Sequence, residues 1–162
     1  SRPTGRKRRL ESTLARLRAL HEVLNAELYA HPTERPQINN PQDAADLLTP
    51  FIGSLDHEEM WVVLLDTRNR VQSLVRLYQG TVNSSPVRVG EVFRQAVAQN
   101  AAAIALAHNH PSGDPTPSPE DVGVTHSIVQ AGKLLDIEVL DHLVICPSRF
   151  VSLKERGLGF RT

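Results

Sequence analysis

Ala101-Ala102-Ala103-Ile104-Ala105-Leu106-Ala107-His108-Asn109-His110-Pro111-Ser112-Gly113-Asp114-Pro115-Thr116-Pro117-Ser118-Pro119-Glu120-Asp121 is the stretch from which the rest of the chain is read. Its first seven residues form a short apolar run. They suit a buried strand, although alanines alone would also suit a helix. The residues after Ala107 favour the strand. Residues i and i+2 of a strand share a face, so His108 and His110 would present two imidazoles side by side. The Pro-, Gly-, Ser- and Asp-rich residues after them read as a loop. Ser118-Pro119-Glu120-Asp121 then opens a helix, with Ser118 at the N-cap and proline in the first helical position. Asp121 falls three residues after the cap, where its carboxylate turns back toward the loop.

Two imidazoles and one carboxylate, delivered by a strand end and a helix start, make a three-ligand zinc site of His108, His110 and Asp121 with one position open. Each part also has a plainer reading. A His pair at a strand end often decorates a surface, and Ser-x-x-Asp ahead of a helix is a capping box. Taken together, H-x-H, seven residues, Ser, two residues, Asp is a five-element constraint that chance seldom meets. Other metal-site patterns are missing: there is no H-E-x-x-H helix and no P-C-x-x-C, so zincin and zinc-deaminase ligand sets are not supplied.

This spacing matches the JAMM motif of the MPN/JAB-domain metalloproteases, and H-N-H-P-S-G-D-P-T-P-S resembles the form it takes in bacterial RadC-like proteins. The resemblance covers Pro41 to Leu158. It includes L-L-D-T-R-N-R (64–70), A-G-K-L-L-D-I-E-V-L-D-H (131–142) and V-S-L-K-E-R-G-L (151–158). It implies a zinc-dependent hydrolase of amide bonds, peptide or isopeptide. It also implies a glutamate base just before a buried strand, and a serine, here Ser118, that steadies the oxyanion as well as capping the helix. Glu59, immediately ahead of Met60-Trp61-Val62-Val63-Leu64-Leu65, fits the base position. Glu58 beside it has the same claim on composition, and Glu91 in Gly90-Glu91-Val92-Phe93 is the runner-up. The RadC name carries a historical association with DNA repair, so a nucleic-acid-binding accessory protein is the alternative function. A non-catalytic MPN scaffold is a third, against which every motif residue is retained.

Outward from the motif, the order of elements predicts an α/β fold: a mixed sheet flanked by helices. Leu10, Leu14, Leu17, Leu20, Leu24 and Leu28 recur every three or four positions, an amphipathic helix whose stripe asks for a partner on this domain or another copy. His31 to Asn40 reads as a linker, dividing a basic arm and helix (1–40) from the main domain (41–162). Asn40-Pro41 starts a second helix. Met60–Leu65 and Val71–Tyr78 form a hairpin about Asp66–Arg70, and Thr81–Val87 is turn-rich. Val89, Val92, Phe93, Ala96 and Val97 space a helix. The motif helix runs to about Leu135, with Val122, Ile128, Val129 and Leu135 offered to the core, and strands come after it at Glu138–Ile145 and Phe150–Ser152. This sketch agrees with the MPN fold, which resembles cytidine-deaminase-like α/β sandwiches.

The 162 residues carry 18 basic and 18 acidic side chains, unevenly spread. Arg2, Arg6, Lys7, Arg8, Arg9, Arg16 and Arg18 crowd the first eighteen positions against Glu11 alone. Such an arm could touch nucleic acid or an acidic partner, or simply be solvated. The single cysteine, Cys146, excludes an intrachain disulfide, fits a cytoplasmic setting and reads as a buried structural thiol. No apolar segment is long enough for a membrane span. The basic start without Met suggests a piece of a longer chain with no leader-like segment. His142 is expected to be a satisfied core histidine rather than a partner of the metal ligands, and His126 a surface residue.

Overall fold

The computed structural model describes residues 4–80 and 87–161, so the turn-rich segment expected at 81–87 lies outside them except for Val87. The elements are α1 (Gly5–Ala30), a 3-10 turn (Pro32–Glu34), α2 (Pro41–Ile52), β1 (Glu58–Leu65), β2 (Val71–Gly80), α3 (Val89–Ala98), β3 (Ala103–Asn109), α4 (Pro119–Leu135), β4 (Glu138–Ile145) and β5 (Phe150–Ser152). The strands form one mixed sheet in the order β2-β1-β3-β4-β5. β3 and β4 are parallel and the other pairs antiparallel. The parallel pair needs a crossover, and α4 supplies it.

Helices cover both faces, which is why β1 and β3 are buried at every position and carry the apolar runs Met60–Leu65 and Ala103–Ala107. On one face Trp61, Val63, Leu65, Ala103, Ala105 and Leu143 pack beneath Ala44, Ala45, Leu48 and Ile52 of α2 and Leu28 of α1. On the other, Val62, Leu64, Ile104 and Leu106 meet Val92, Phe93 and Ala96 of α3 and Ile128 and Val129 of α4. The α3–α4 side also holds the histidine motif.

The sheet is irregular in its β1–β2 and β3–β4 registers and closed by a helix at one edge. Between β3 and β4 the register passes from Ile104 opposite Val139 to Ala105 opposite Asp141, leaving Leu140 as an extra residue. That bulge reverses the side-chain alternation of β4. The edge is β2, and α1 closes it at Leu74. Asn25 donates to the Leu74 carbonyl (2.9 Å) and accepts from its amide (2.8 Å), as a neighbouring strand would. His21 sits 2.7 Å from the same carbonyl and packs on Trp61.

α1 thus belongs to the body of the domain, through fewer leucines than its periodicity offered. Leu28 is buried and Leu24 packs on the core, but Leu10 and Leu20 are more than half exposed, and at the level of Leu20 it is His21 that faces the sheet. Leu135, expected in the core, lies at a helix end and faces solvent, as does Val97 from the α3 spacing. Ile38, in the expected linker, is buried and donates its amide to Asn69. Among the described residues no helix is long and apolar enough to cross a membrane.

Candidate metal centre

β3 ends at Asn109, and α4 begins ten residues later beside it. The loop between them lies at the carboxyl end of a parallel strand, where α/β sheets commonly bind ligands. Asp121 is aimed by the capping box itself. Ser118 Oγ accepts from the Asp121 amide (3.1 Å), while Asp121 Oδ2 accepts from the Ser118 amide (2.8 Å). Held this way, Asp121 Oδ1 lies 3.2 Å from His108 Nε2 and Oδ2 lies 3.3 Å from His110 Nε2. The plain capping reading and the ligand reading are therefore one interaction.

Glu58 completes the cluster. Its Oε1 is 3.9 Å from His108 Nε2, and one ligand atom from each of Glu58, His108, His110 and Asp121 lies within 4.8 Å of all the others. Strand register explains why it is Glu58. Met60 pairs with His108, so the residue two places earlier shares that face and falls across from His110. Glu59 is on the opposite face, against α1 and α2. There its carboxylate accepts from His57 Nε2 (2.7 Å) and Trp61 Nε1 (3.1 Å). The expectation of Glu59 beside the motif is corrected to Glu58. Glu91 is exposed on the first turn of α3 and pairs with Arg94, so it too stays away from the cluster.

Asn109, between the two histidines, brackets Glu58 from behind. Its Oδ1 accepts from the Glu59 amide (2.7 Å) and its Nδ2 donates to the His57 carbonyl (2.8 Å). These bonds extend the β1–β3 pairing by one place and fix the backbone on both sides of Glu58.

The donor set fits a divalent cation. His110 Nδ1 faces the Asp114 carbonyl at 2.9 Å, and a carbonyl only accepts, so Nδ1 carries the ring proton. The neutral ring then turns a lone pair on Nε2 into the cluster, 3.0 Å from His108 Nε2 and beside two carboxylates. Only a proton or a metal reconciles such neighbours. The hydrogen bond with Asp121 raises the His110 pKa despite burial. Burial would raise Asp121, but its bonds to His108 and His110 outweigh that and hold it far below the usual carboxylate range.

His142 is fully buried in the core, as its sequence setting suggests, but it also touches a motif residue. Its Nε2 is 2.7 Å from His108 Nδ1 and its Nδ1 is 2.5 Å from Thr125 Oγ1. Burial pushes its pKa well below the ordinary value. The signal available in sequence is the Asp141-His142 pair in β4, but only the bulge at Leu140 shows which of the two faces His108. Asp141 faces the other way, accepting from Ser152 Oγ at 2.7 Å. Cys146 is buried with Sγ 3.5 Å from the His110 carbonyl, and His126 is exposed.

An α/β sheet whose β3–α4–β4 unit brings H-x-H and S-x-x-D together beside a β1 glutamate defines a JAB-type domain with a candidate metal site. The family model described as RadC-like JAB domain matches residues 38–158, and the chain belongs to that family. A UPF0758 protein of Roseiflexus castenholzii is 52% identical over 150 residues, covering 93% of this chain and 64% of its own. One from Chloroflexus aurantiacus is 57% identical over 127 residues, covering 78% of this chain and 56% of its own. Another from Moorella thermoacetica is 49% identical over 144 residues, covering 89% and 62% respectively. The chain thus spans between 56% and 64% of the length of these relatives.

Proposed function

We propose that this domain is a zinc-dependent hydrolase of amide bonds, acting on a peptide or an isopeptide-linked protein. The observation that carries the reading is the convergence of His108 Nε2, His110 Nε2, the Asp121 carboxylate and Glu58 on one point. When bound, zinc supplies Lewis-acid polarisation and lowers the pKa of a water to roughly 7. His108, His110 and Asp121 are the residues that would hold it. Glu58, bracketed by Asn109, takes the proton of the attacking water and returns it to the leaving amine. Ser118 Oγ accepts from the Asp121 amide, which leaves its own proton to donate to the developing oxyanion.

The test begins with metal analysis of protein purified without chelator, where about one zinc per chain is expected. The double substitution His108→Ala, His110→Ala should remove it, and full occupancy in that variant would refute the site. A library of peptides and isopeptide-linked pairs then provides the activity measurement, with Glu58→Gln as the inactive control.

One observation favours a second reading, contact with nucleic acid. Arg6, Lys7, Arg8 and Arg9 are exposed at the start of α1, whose first turn holds no acid. Cations at the positive end of a helix dipole are unfavourable unless an anion answers them. Replacing the four by Gln should abolish any DNA binding and flatten its salt dependence. Undiminished binding would exclude the arm.

A further inference from the structure

Four groups form a chain of hydrogen bonds that starts and ends on the metal cluster. Thr125, one turn after Asp121 on α4, has its Oγ1 2.6 Å from the Asp121 carbonyl. The same oxygen is 2.5 Å from His142 Nδ1, and His142 Nε2 is 2.7 Å from His108 Nδ1. Thr125, His108 and His142 are fully buried, so no bulk water competes for these bonds.

Proton counting allows one arrangement. The Asp121 carbonyl can only accept, so the single hydroxyl proton of Thr125 points at it. Toward His142, Thr125 must therefore accept, and His142 carries its proton on Nδ1. Neutral His142 then has a lone pair on Nε2, which accepts from His108 Nδ1–H. His108 in turn has its lone pair on Nε2, the atom 3.2 Å from Asp121 Oδ1 and 3.0 Å from His110 Nε2.

We infer that His142 is a positioning residue, which with Thr125 locks His108 into the Nδ1–H tautomer and so commits Nε2 to the metal. The inference deepens the metal-centre reading and rests on it for its consequence, though the tautomers themselves do not depend on metal. An imidazole in this place has a reason. The usual partner behind a ligand histidine is a carboxylate or a carbonyl. Here Asp121 and Glu58 already balance a divalent charge, and a third carboxylate would leave a buried net negative charge. A neutral acceptor orients His108 without adding one. The bulge at Leu140 delivers it, placing His142 rather than Asp141 on the His108 face.

The test has two arms. Nitrogen-15 spectra of the imidazoles in metal-free wild-type protein at about pH 8 should show both His108 and His142 as Nδ1–H tautomers. Zinc affinity is read by chelator competition. His142→Leu, which cannot accept, should weaken zinc by roughly 10–100-fold. His142→Gln puts an amide oxygen near the place of Nε2 and should recover most of that loss. Thr125→Val removes the hydroxyl with little change of shape and should weaken zinc several-fold, so the inference stays testable if His142→Leu misfolds. An Nε2–H tautomer at either histidine, or unchanged zinc affinity in both the Leu and Val variants, overturns the inference while leaving the metal site standing. The expected tautomers in a protein that takes up no zinc would support the relay and refute the metal-centre reading.

Discussion

Glu58 and Glu59 are adjacent in sequence and opposite in setting, so their alanine variants should fail in opposite ways. Glu59 is 4% exposed and accepts two hydrogen bonds, from His57 at 2.7 Å and Trp61 at 3.1 Å. A bond to a charged group contributes about 1.5–3 kcal/mol. The His57 side chain is one-quarter exposed, which moves its share toward the lower end. Glu59→Ala should therefore cost about 2–4 kcal/mol. At about 2–4 °C per kcal/mol for a chain of this size, melting falls by roughly 5–15 °C. Among the described residues Glu58 shows no such bond; His108 Nε2 lies 3.9 Å from its carboxylate, beside Asp121. Glu58→Ala should leave melting of the metal-free protein within about 0.5 kcal/mol of wild type, in the range of substitutions that break no packed network. Its zinc should remain and its turnover fall by roughly 10²–10⁴-fold. Thermal denaturation in chelator, metal analysis and hydrolysis of whatever peptide the library yields separate the two. A low melting point for Glu58→Ala with an unaffected Glu59→Ala would refute the strand register on which the site is built.

Single contacts give three further expected outcomes. Asn109→Ala should keep zinc but lose stability by about 1–3 kcal/mol, because it leaves the Glu59 amide and His57 carbonyl without their partner; unchanged turnover would mean that the bracket does not aim Glu58. Burial raises the Asp141 pKa, only partly offset by its bonds from Ser152, His142 and Lys154. A carboxyl whose folded pKa is raised contributes stability that is complete below the unfolded value, near 3.9, and is lost as pH rises through the folded one. The stability of Asp141→Asn relative to wild type should therefore climb from about pH 4 upward and then level off, as urea titrations across pH would show; a difference independent of pH would contradict this. Gly132→Ala would set a Cβ 2.5 Å from the Ile137 carbonyl oxygen, and overpacking of that kind should lower stability by about 1–3 kcal/mol in denaturant unfolding.

The motif told most of what it had to tell because its signals were local. Two residues of spacing put His108 and His110 together, and three put Asp121 back over its own helix start, so the ligands could be named from a single stretch. The glutamate could not. Both faces of β1 are buried at all eight positions, which erases the alternation that would have told residue 58 from residue 59. What decides between them is the pairing of Met60 with His108, a contact across 48 positions of chain. His142 was hidden for a related reason: its face depends on one bulged residue, and a bulge leaves little mark in composition. The leucine stripe of α1 was plain, but that His21 and Asn25 rather than Leu20 face the sheet was not. Leu10 and Leu20, read as part of a stripe that asks for a partner, stand in solvent.

The bulge at Leu140 makes the chemistry behind His108 a matter of counting. Asp141 and His142 are neighbours in sequence, and the extra residue determines which of them meets the ligand. Taking Leu140 into the ladder opposite Ala105 would slide the rest of β4 by one step, turning the Asp141 carboxylate toward His108 and the imidazole into the opposite layer. Deleting Leu140 would only remove the bulge and leave His142 opposite Leu106. The electronic character of the site thus hangs on a one-step choice of register, with no ligand and no partner substituted. An unaltered motif would not report such a slip; only the pairing of β4 with β3 would.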